Sequence, residues 1–249
     1  MRKILVRADD LGYSEGVNYG IGKSVREGIV SSVGVMTNMP SVKHGLELLK
    51  GAAVCLGQHT NICVGKPITD PALIPSITNG KGEFKSSKEY RQTKEDFVVL
   101  DEVILEIEAQ YERFLELVGE KPHYFEGHAV ASRNFFKGLE MVSEKYGLKY
   151  SGMSFGGEPI VVGSTKVYVT MESMLPDYDP LGTLKKMVEH PHEDGCEMLV
   201  CHPGYLDGYI LKNSSLTIPR TQEVDMLCDP ETKRYLEHAG VTQITYDDL

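Results

Sequence analysis

Four short apolar runs in this chain each end on residues able to bind a metal or move a proton. Ile4-Leu5-Val6 leads to Asp9 and Asp10, Ala53-Val54-Cys55-Leu56 to His59, Tyr124-Phe125 to His128, and Met198-Leu199-Val200-Cys201 to His202. Adjacent carboxylates repel each other and are costly to crowd together without a cation. One carboxylate and two imidazoles would supply three ligands to a divalent metal, leaving positions open for water and substrate. Open coordination of that kind suits catalysis. The plainer reading of Asp9-Asp10 is an acidic turn, and any one histidine could be a turn or core residue. Four such run ends together favour a shared site. His44, His123, His190, His192 and His238 lack this placement and read as surface or structural residues.

The elements that must position these residues alternate. The first run reads as a buried strand, and Ser14 as the N-cap of a helix carrying Val17, Ile21 and Val25, with Gly28 as its stop. Strands are expected over Ser32–Thr37, Ala53–Gln58, His123–Gly127 and Glu197–Cys201, more weakly at Lys149–Ser151, Ile160–Val162 and Lys166–Val169, and last at Val241–Ile244. A short helix is expected after Ser41. Phe97 to Val118 reads as a long amphipathic helix closed by Gly119, with Glu106, Glu108, Glu112 and Glu116 as its solvated face. Further helices are expected from Phe135 to Tyr146, from Leu181 to His190 and from Glu223 to Ala239. Segment 64–94, rich in Gly, Pro, Ser, Thr and Lys, has no sustained period. A connection of that length is a lid or substrate-binding loop, or a disordered insertion.

Strands alternating with helices argue for an α/β fold with a parallel sheet. The number of units favours a (β/α) barrel over an open sheet. In a parallel barrel all strand C-termini share one face, so residues far apart in sequence can converge there. No glycine-rich phosphate loop follows the first strand, which removes the usual nucleotide-binding reading.

The chain has 249 residues, and 41% of them are apolar, enough for a sizeable core; it reads as a single domain over 1–249 with the lid or insertion at 64–94. A net charge of −10 argues against nucleic acid or an anionic membrane as the main partner. The five cysteines form no C-x-x-C pair, and their odd number suits no complete disulfide framework. The opening apolar run is too short for a signal peptide, and no stretch approaches a membrane span, so the expected location is cytoplasmic.

Several segments resemble the YdjC/ChbG-like carbohydrate deacetylases. Arg7-Ala8-Asp9-Asp10-Leu11-Gly12-Tyr13-Ser14 with Gly16-Val17-Asn18-Tyr19-Gly20-Ile21 is similar to that family's opening. Gly28-Ile29-Val30-Ser31-Ser32, Gly57-Gln58-His59-Thr60-Asn61 and Gly65-Lys66-Pro67-Ile68 are similar to segments that follow it. Cys201-His202-Pro203-Gly204-Tyr205 and Pro219-Arg220 with Glu223, Asp225 and Leu227 are similar to segments near the C-terminal end. The resemblance covers essentially the whole chain. It implies a distorted, TIM-barrel-like (β/α) barrel of the glycoside hydrolase/deacetylase type with one divalent metal, magnesium or zinc first, then manganese, cobalt or iron. The ligands carry over to Asp10, His59 and His128, the general base to Asp9 and the general acid to His202. The implied substrate is a small N-acetylated amino sugar or short chitin-type oligosaccharide, which loses acetate. Arg7, Tyr205 and Arg220 are further candidate substrate-site residues; Arg220 is suited either to orient Asp9 or simply to start a helix, and Tyr205 either to stack on a sugar ring or to pack. A homodimer is compatible with all of this.

Two departures stand out. After His128 the family usually has further histidines, where this chain reads Ala129-Val130-Ala131-Ser132. Arg7 stands where the family commonly has Asn or Thr. Both bear on substrate preference. The alternatives are a barrel metalloenzyme acting on sugar phosphates and a non-catalytic sugar-binding relative; a binder would have no need of both Asp9 and His202.

Overall fold

A computed structural model describes residues 2–153 and 157–249. In chain order the first half holds β1 (Arg2–Leu11), α1 (Glu15–Arg26), β2 (Ser32–Val35), α2 (Val42–Leu49), β3 (Cys55–Thr60), α3 (Ser87–Gln92), α4 (Leu100–Val118), β4 (Phe125–Gly127) and α5 (Arg133–Tyr146). The second half holds β5 (Ile160–Val162), β6 (Thr165–Thr170), α6 (Pro180–Glu189), β7 (Gly195–Cys201), α7 (Gly208–Asn213), α8 (Ile218–Cys228), α9 (Pro230–His238) and β8 (Val241–Ile244). The chain forms two compact units. One comprises Met1–Gly34, Pro40–Leu56 and Met153–Leu249, and the other comprises Val35–Met39 and Gly57–Gly152.

In the first unit β1 pairs in parallel with β7, Ala8 opposite Cys201, and also with β8, Leu5 opposite Ile244. β6 continues in parallel beside β7, and β5 returns antiparallel to β6. From Ile4 onward every residue of β1 is buried, as expected of a strand covered on both faces. α1 starts where Ser14 accepts a hydrogen bond from the Val17 amide at 3.2 Å. Gly20 is required on this helix, because a Cβ there would lie 2.4 Å from Cα of Gly204. The expected helix from Glu223 to Ala239 is instead two, α8 and α9. Asp229 precedes Pro230, whose ring disfavours α backbone before it, so Asp229 is extended (ψ 123°) and caps α9 through the Glu231 amide at 2.8 Å.

In the second unit β3 pairs in parallel with β4, which sets His59 opposite Glu126. α4 ends at Gly119 in the left-handed region (φ 87°), and α5 runs from the Ser132 cap to Gly147 (φ 65°). Their apolar faces, including Val103, Ile107, Phe135 and Leu139, share a core with Ile74, Ile77, Phe84 and Tyr90 from segment 64–94. That segment is therefore packed. It contains a short 3-10 turn at Pro71–Leu73, an antiparallel bridge between Thr78 and Phe84, and α3. Glu106 does not join the solvated face expected of it. It is fully buried, and its carboxylate accepts from the amides of Ile68 (3.1 Å) and Thr69 (2.9 Å) and from Nε2 of Gln110 (2.8 Å). Burial raises its pKa, opposed by those bonds.

Strand boundaries shift by two or three residues. β3 starts at Cys55 and runs through His59, β4 starts only at Phe125, and Lys149–Ser151 supplies a single bridge from Tyr150 to Phe125. Among the described residues no helix is long and apolar enough to cross a membrane.

Candidate active site

The first unit gathers the carboxylates and the late histidine. Because Ala8 is opposite Cys201, the residues that follow them, Asp9 near the C-terminal end of β1 and His202 just past the end of β7, come to the same end of the paired strands. Asp9 is buried beside Arg7: Nη2 donates to Oδ2 at 2.8 Å, and Nε lies 2.8 Å from Oδ1. The second approach lacks hydrogen-bond alignment, so Oδ1 remains a buried acceptor with unused capacity. Arg7 also donates to the Tyr246 hydroxyl at 2.9 Å.

Asp10 is fully buried and takes a left-handed backbone, φ 79°. Aspartate tolerates this region better than most residues, yet the cost is of order 1–3 kcal/mol. The surrounding turn over-determines it. The Tyr13 amide donates to the Asp10 carbonyl at 3.0 Å, and Asn18 accepts from the Gly12 amide at 2.7 Å while donating to the Ser41 carbonyl at 2.8 Å. Asn18 is thus the clamp on the turn that presents Asp10. Arg220 Nη2 donates to Asp10 Oδ2 at 2.7 Å, its Nη1 to the His202 carbonyl at 3.3 Å and its Nε to the Leu216 carbonyl at 3.0 Å.

These contacts correct the expectation that Arg220 orients Asp9. Arg7 does that, and Arg220 takes Asp10. Arg7 and Arg220 are 7% and 2% exposed, so both guanidiniums serve buried carboxylates instead of lying open to a sugar. Tyr205 is 39% exposed, and its amide bonds the Gly16 carbonyl at 2.9 Å.

His202 is held by residues the sequence reading did not assign. Its Nδ1 faces the Ser173 hydroxyl at 3.2 Å, and its amide donates to Glu223 Oε2 at 2.6 Å. Glu223 Oε1 accepts from the Tyr178 hydroxyl at 3.1 Å. Burial pushes the Glu223 carboxyl up to about 7, against the His202 amide, the Tyr178 hydroxyl and Arg220, which favour its charged form. Glu223 was visible in the Pro219-Arg220 segment but had no role there. Ser173 and Tyr178 lie on the aperiodic connection between β6 and α6, which carries no signal of function.

The second unit holds the other two histidines. His59 and His128 are 2% and 8% exposed, with ring planes at 80°. His59 Nε2 lies 2.9 Å from His128 Nδ1. On its other side, His59 Nδ1 makes a short contact with the Glu126 carboxylate. Ala129, next after His128, has φ 52°. Two buried ring nitrogens facing each other with a carboxylate behind one of them is the donor chemistry a borderline divalent cation takes, so these residues fit the expected metal.

The sequence matches the YdjC-like protein family over residues 3–238. The chain belongs to that family. It is 28% identical to carbohydrate deacetylase 2 of Listeria innocua serovar 6a, covering 99% of this chain and 98% of the relative. It is 30% identical to a carbohydrate deacetylase of Geobacillus stearothermophilus, covering 100% and 98%. Among solved structures it is similar to an Enterococcus faecalis V583 protein provisionally named for cellobiose-phosphate cleavage, with a TM-score of 0.83, 22% identity and 99% and 98% of the two chains covered. The α/β fold of this YdjC-like chain is thus of the expected distorted (β/α)-barrel type.

Proposed function

We propose that this protein is a metal-dependent carbohydrate deacetylase. It removes an N-acetyl group from an amino sugar or short chitin-type oligosaccharide and releases acetate, the whole chain serving as one catalytic domain. The observation that carries the reading is the buried, Arg7-held Asp9 at the strand end it shares with His202, in a chain of the YdjC-like family.

The assigned ligands are Asp10, His59 and His128. A divalent cation held there, with magnesium or zinc as first candidates, would polarise the acetyl carbonyl and make water a better nucleophile. Asp9 accepts the proton of the attacking water, and Arg7 fixes the carboxylate while it does so. His202 donates a proton to the departing nitrogen, so that the amine leaves neutral. Ser173 holds the far side of its ring and Glu223 holds its backbone. Tyr205, exposed just beyond His202, offers a face for stacking on a pyranose ring.

The test is acetate release by metal-replete protein on N-acetylglucosamine, its phosphate and short N-acetylated chitooligosaccharides, before and after chelation. Acetate release that is lost with chelation and restored by metal supports the reading. Phosphate release alone, or sugar binding without turnover, would overturn it in favour of the sugar-phosphate or binding-protein alternative.

A further inference from the structure

Glu126 has a place in an expected strand and no assigned role, yet its carboxylate contacts Nδ1 of His59. It is 2% exposed, and β3–β4 pairing places it directly opposite His59. Glu126 lies on β4 and His128 just past its end, and the two contacts put one of them at each ring nitrogen of His59.

The proton arithmetic of this row is constrained. An ionised carboxylate can only accept, so with Glu126 in that form Nδ1 of His59 carries the proton in their bond. A neutral His59 then has Nε2 as an unprotonated lone pair. That nitrogen is the one turned toward His128 Nδ1. Without Glu126, neutral imidazole is free to place its proton on Nε2, and that nitrogen could then bind no cation.

We propose that Glu126 is a positioning residue which locks His59 in the Nδ1-protonated form and so presents Nε2 to the metal. The metal half of this inference rests on the ligand assignment above; the tautomer half does not. Carboxylates placed behind ligating imidazoles typically change metal affinity about 10–100-fold.

Two measurements on the full-length chain separate the halves. Nitrogen-15 NMR of the imidazoles in metal-free protein reads the His59 tautomer. Chelator competition with Co(II) and Zn(II) reads affinity. Wild type should show the Nδ1–H form, and Glu126→Ala should populate the Nε2–H form and bind both metals about 10–100-fold more weakly. Glu126→Gln, which keeps a neutral acceptor of the same shape, should fall between them, and it carries the test if the alanine variant does not fold. An unchanged tautomer with affinity within twofold of wild type in the folded variants overturns the proposal. A tautomer that responds to Glu126 in a wild type that binds neither metal supports the positioning half and overturns the ligand assignment instead.

Discussion

Both units bury carboxylates, but by different means. In the first unit Asp9 and Asp10 are each matched by a guanidinium, Arg7 and Arg220. In the second, Glu106 is held by two backbone amides and one side-chain amide, and Glu126 leans on an imidazole. Amide donors satisfy a carboxylate without cancelling its charge, and burial raises the Glu106 pKa. A guanidinium keeps its partner charged. The difference separates tasks: Glu106 ties residues 68–69 to α4, whereas Asp9 and Asp10 each face a buried guanidinium, a pairing that suits the proposed general base and the proposed cation ligand.

The sharpest test of that division is catalytic. Asp9→Asn and His202→Ala should each lower acetate release by about 10²–10⁴-fold while metal content, measured by atomic emission, stays at the wild-type level. An Asp9→Asn enzyme with full activity would remove the base role. Next in size is the loss of a matched charge. Arg220→Met leaves Asp10 buried without its cation and should cost about 3–5 kcal/mol in urea unfolding, with part of it recovered in the Arg220→Met, Asp10→Asn double variant, since asparagine removes the charge and tolerates the left-handed backbone. If the single variant is as stable as wild type, charge matching is not what holds Asp10.

Glu223 lies between the two kinds of carboxylate, and pH exposes it. Its folded pKa of about 7 is above the ordinary glutamate value of 4.5, so between those values the folded state binds more protons than the unfolded one. Its stabilising contribution is full below about pH 4.5 and lost as pH rises through 7, by roughly 3 kcal/mol in total. Glu223→Gln should flatten that part of the stability curve, as chemical denaturation at pH 5, 6, 7 and 8 would show. The smallest effect is expected at Glu106. Glu106→Gln turns an NH₂ group toward donors and should cost about 1–3 kcal/mol, with faster hydrogen exchange at Ile68 and Thr69. Unchanged exchange there would mean the segment is held by its apolar residues alone.

Much of this was legible in one dimension. Buried strands announced themselves as apolar runs, α1 and α4 by their periodicity and their Ser14 and Gly119 ends, and α5 by its periodicity. The break at Asp229-Pro230 was visible as a residue pair but was outweighed by the apolar spacing around it. The packing of segment 64–94 was not legible because its buried residues, Ile74, Ile77, Phe84 and Tyr90, follow no helix or strand period. An aperiodic segment can be packed when its backbone amides find partners elsewhere, as those of Ile68 and Thr69 do in Glu106.

The sequence by itself determined which residues stand at the ends of apolar runs, and hence Asp9, Asp10, His59, His128 and His202, because alternation and punctuation are local properties of the chain. Only the tertiary structure decided who partners whom. Arg7 went to Asp9 and Arg220 to Asp10, Ser173 and Glu223 took hold of His202, and Glu126 took His59. Those pairings follow from strand register and from the paths of aperiodic connections. Both are settled by the packing of elements distant in sequence, and a pattern of neighbours along the chain cannot carry them.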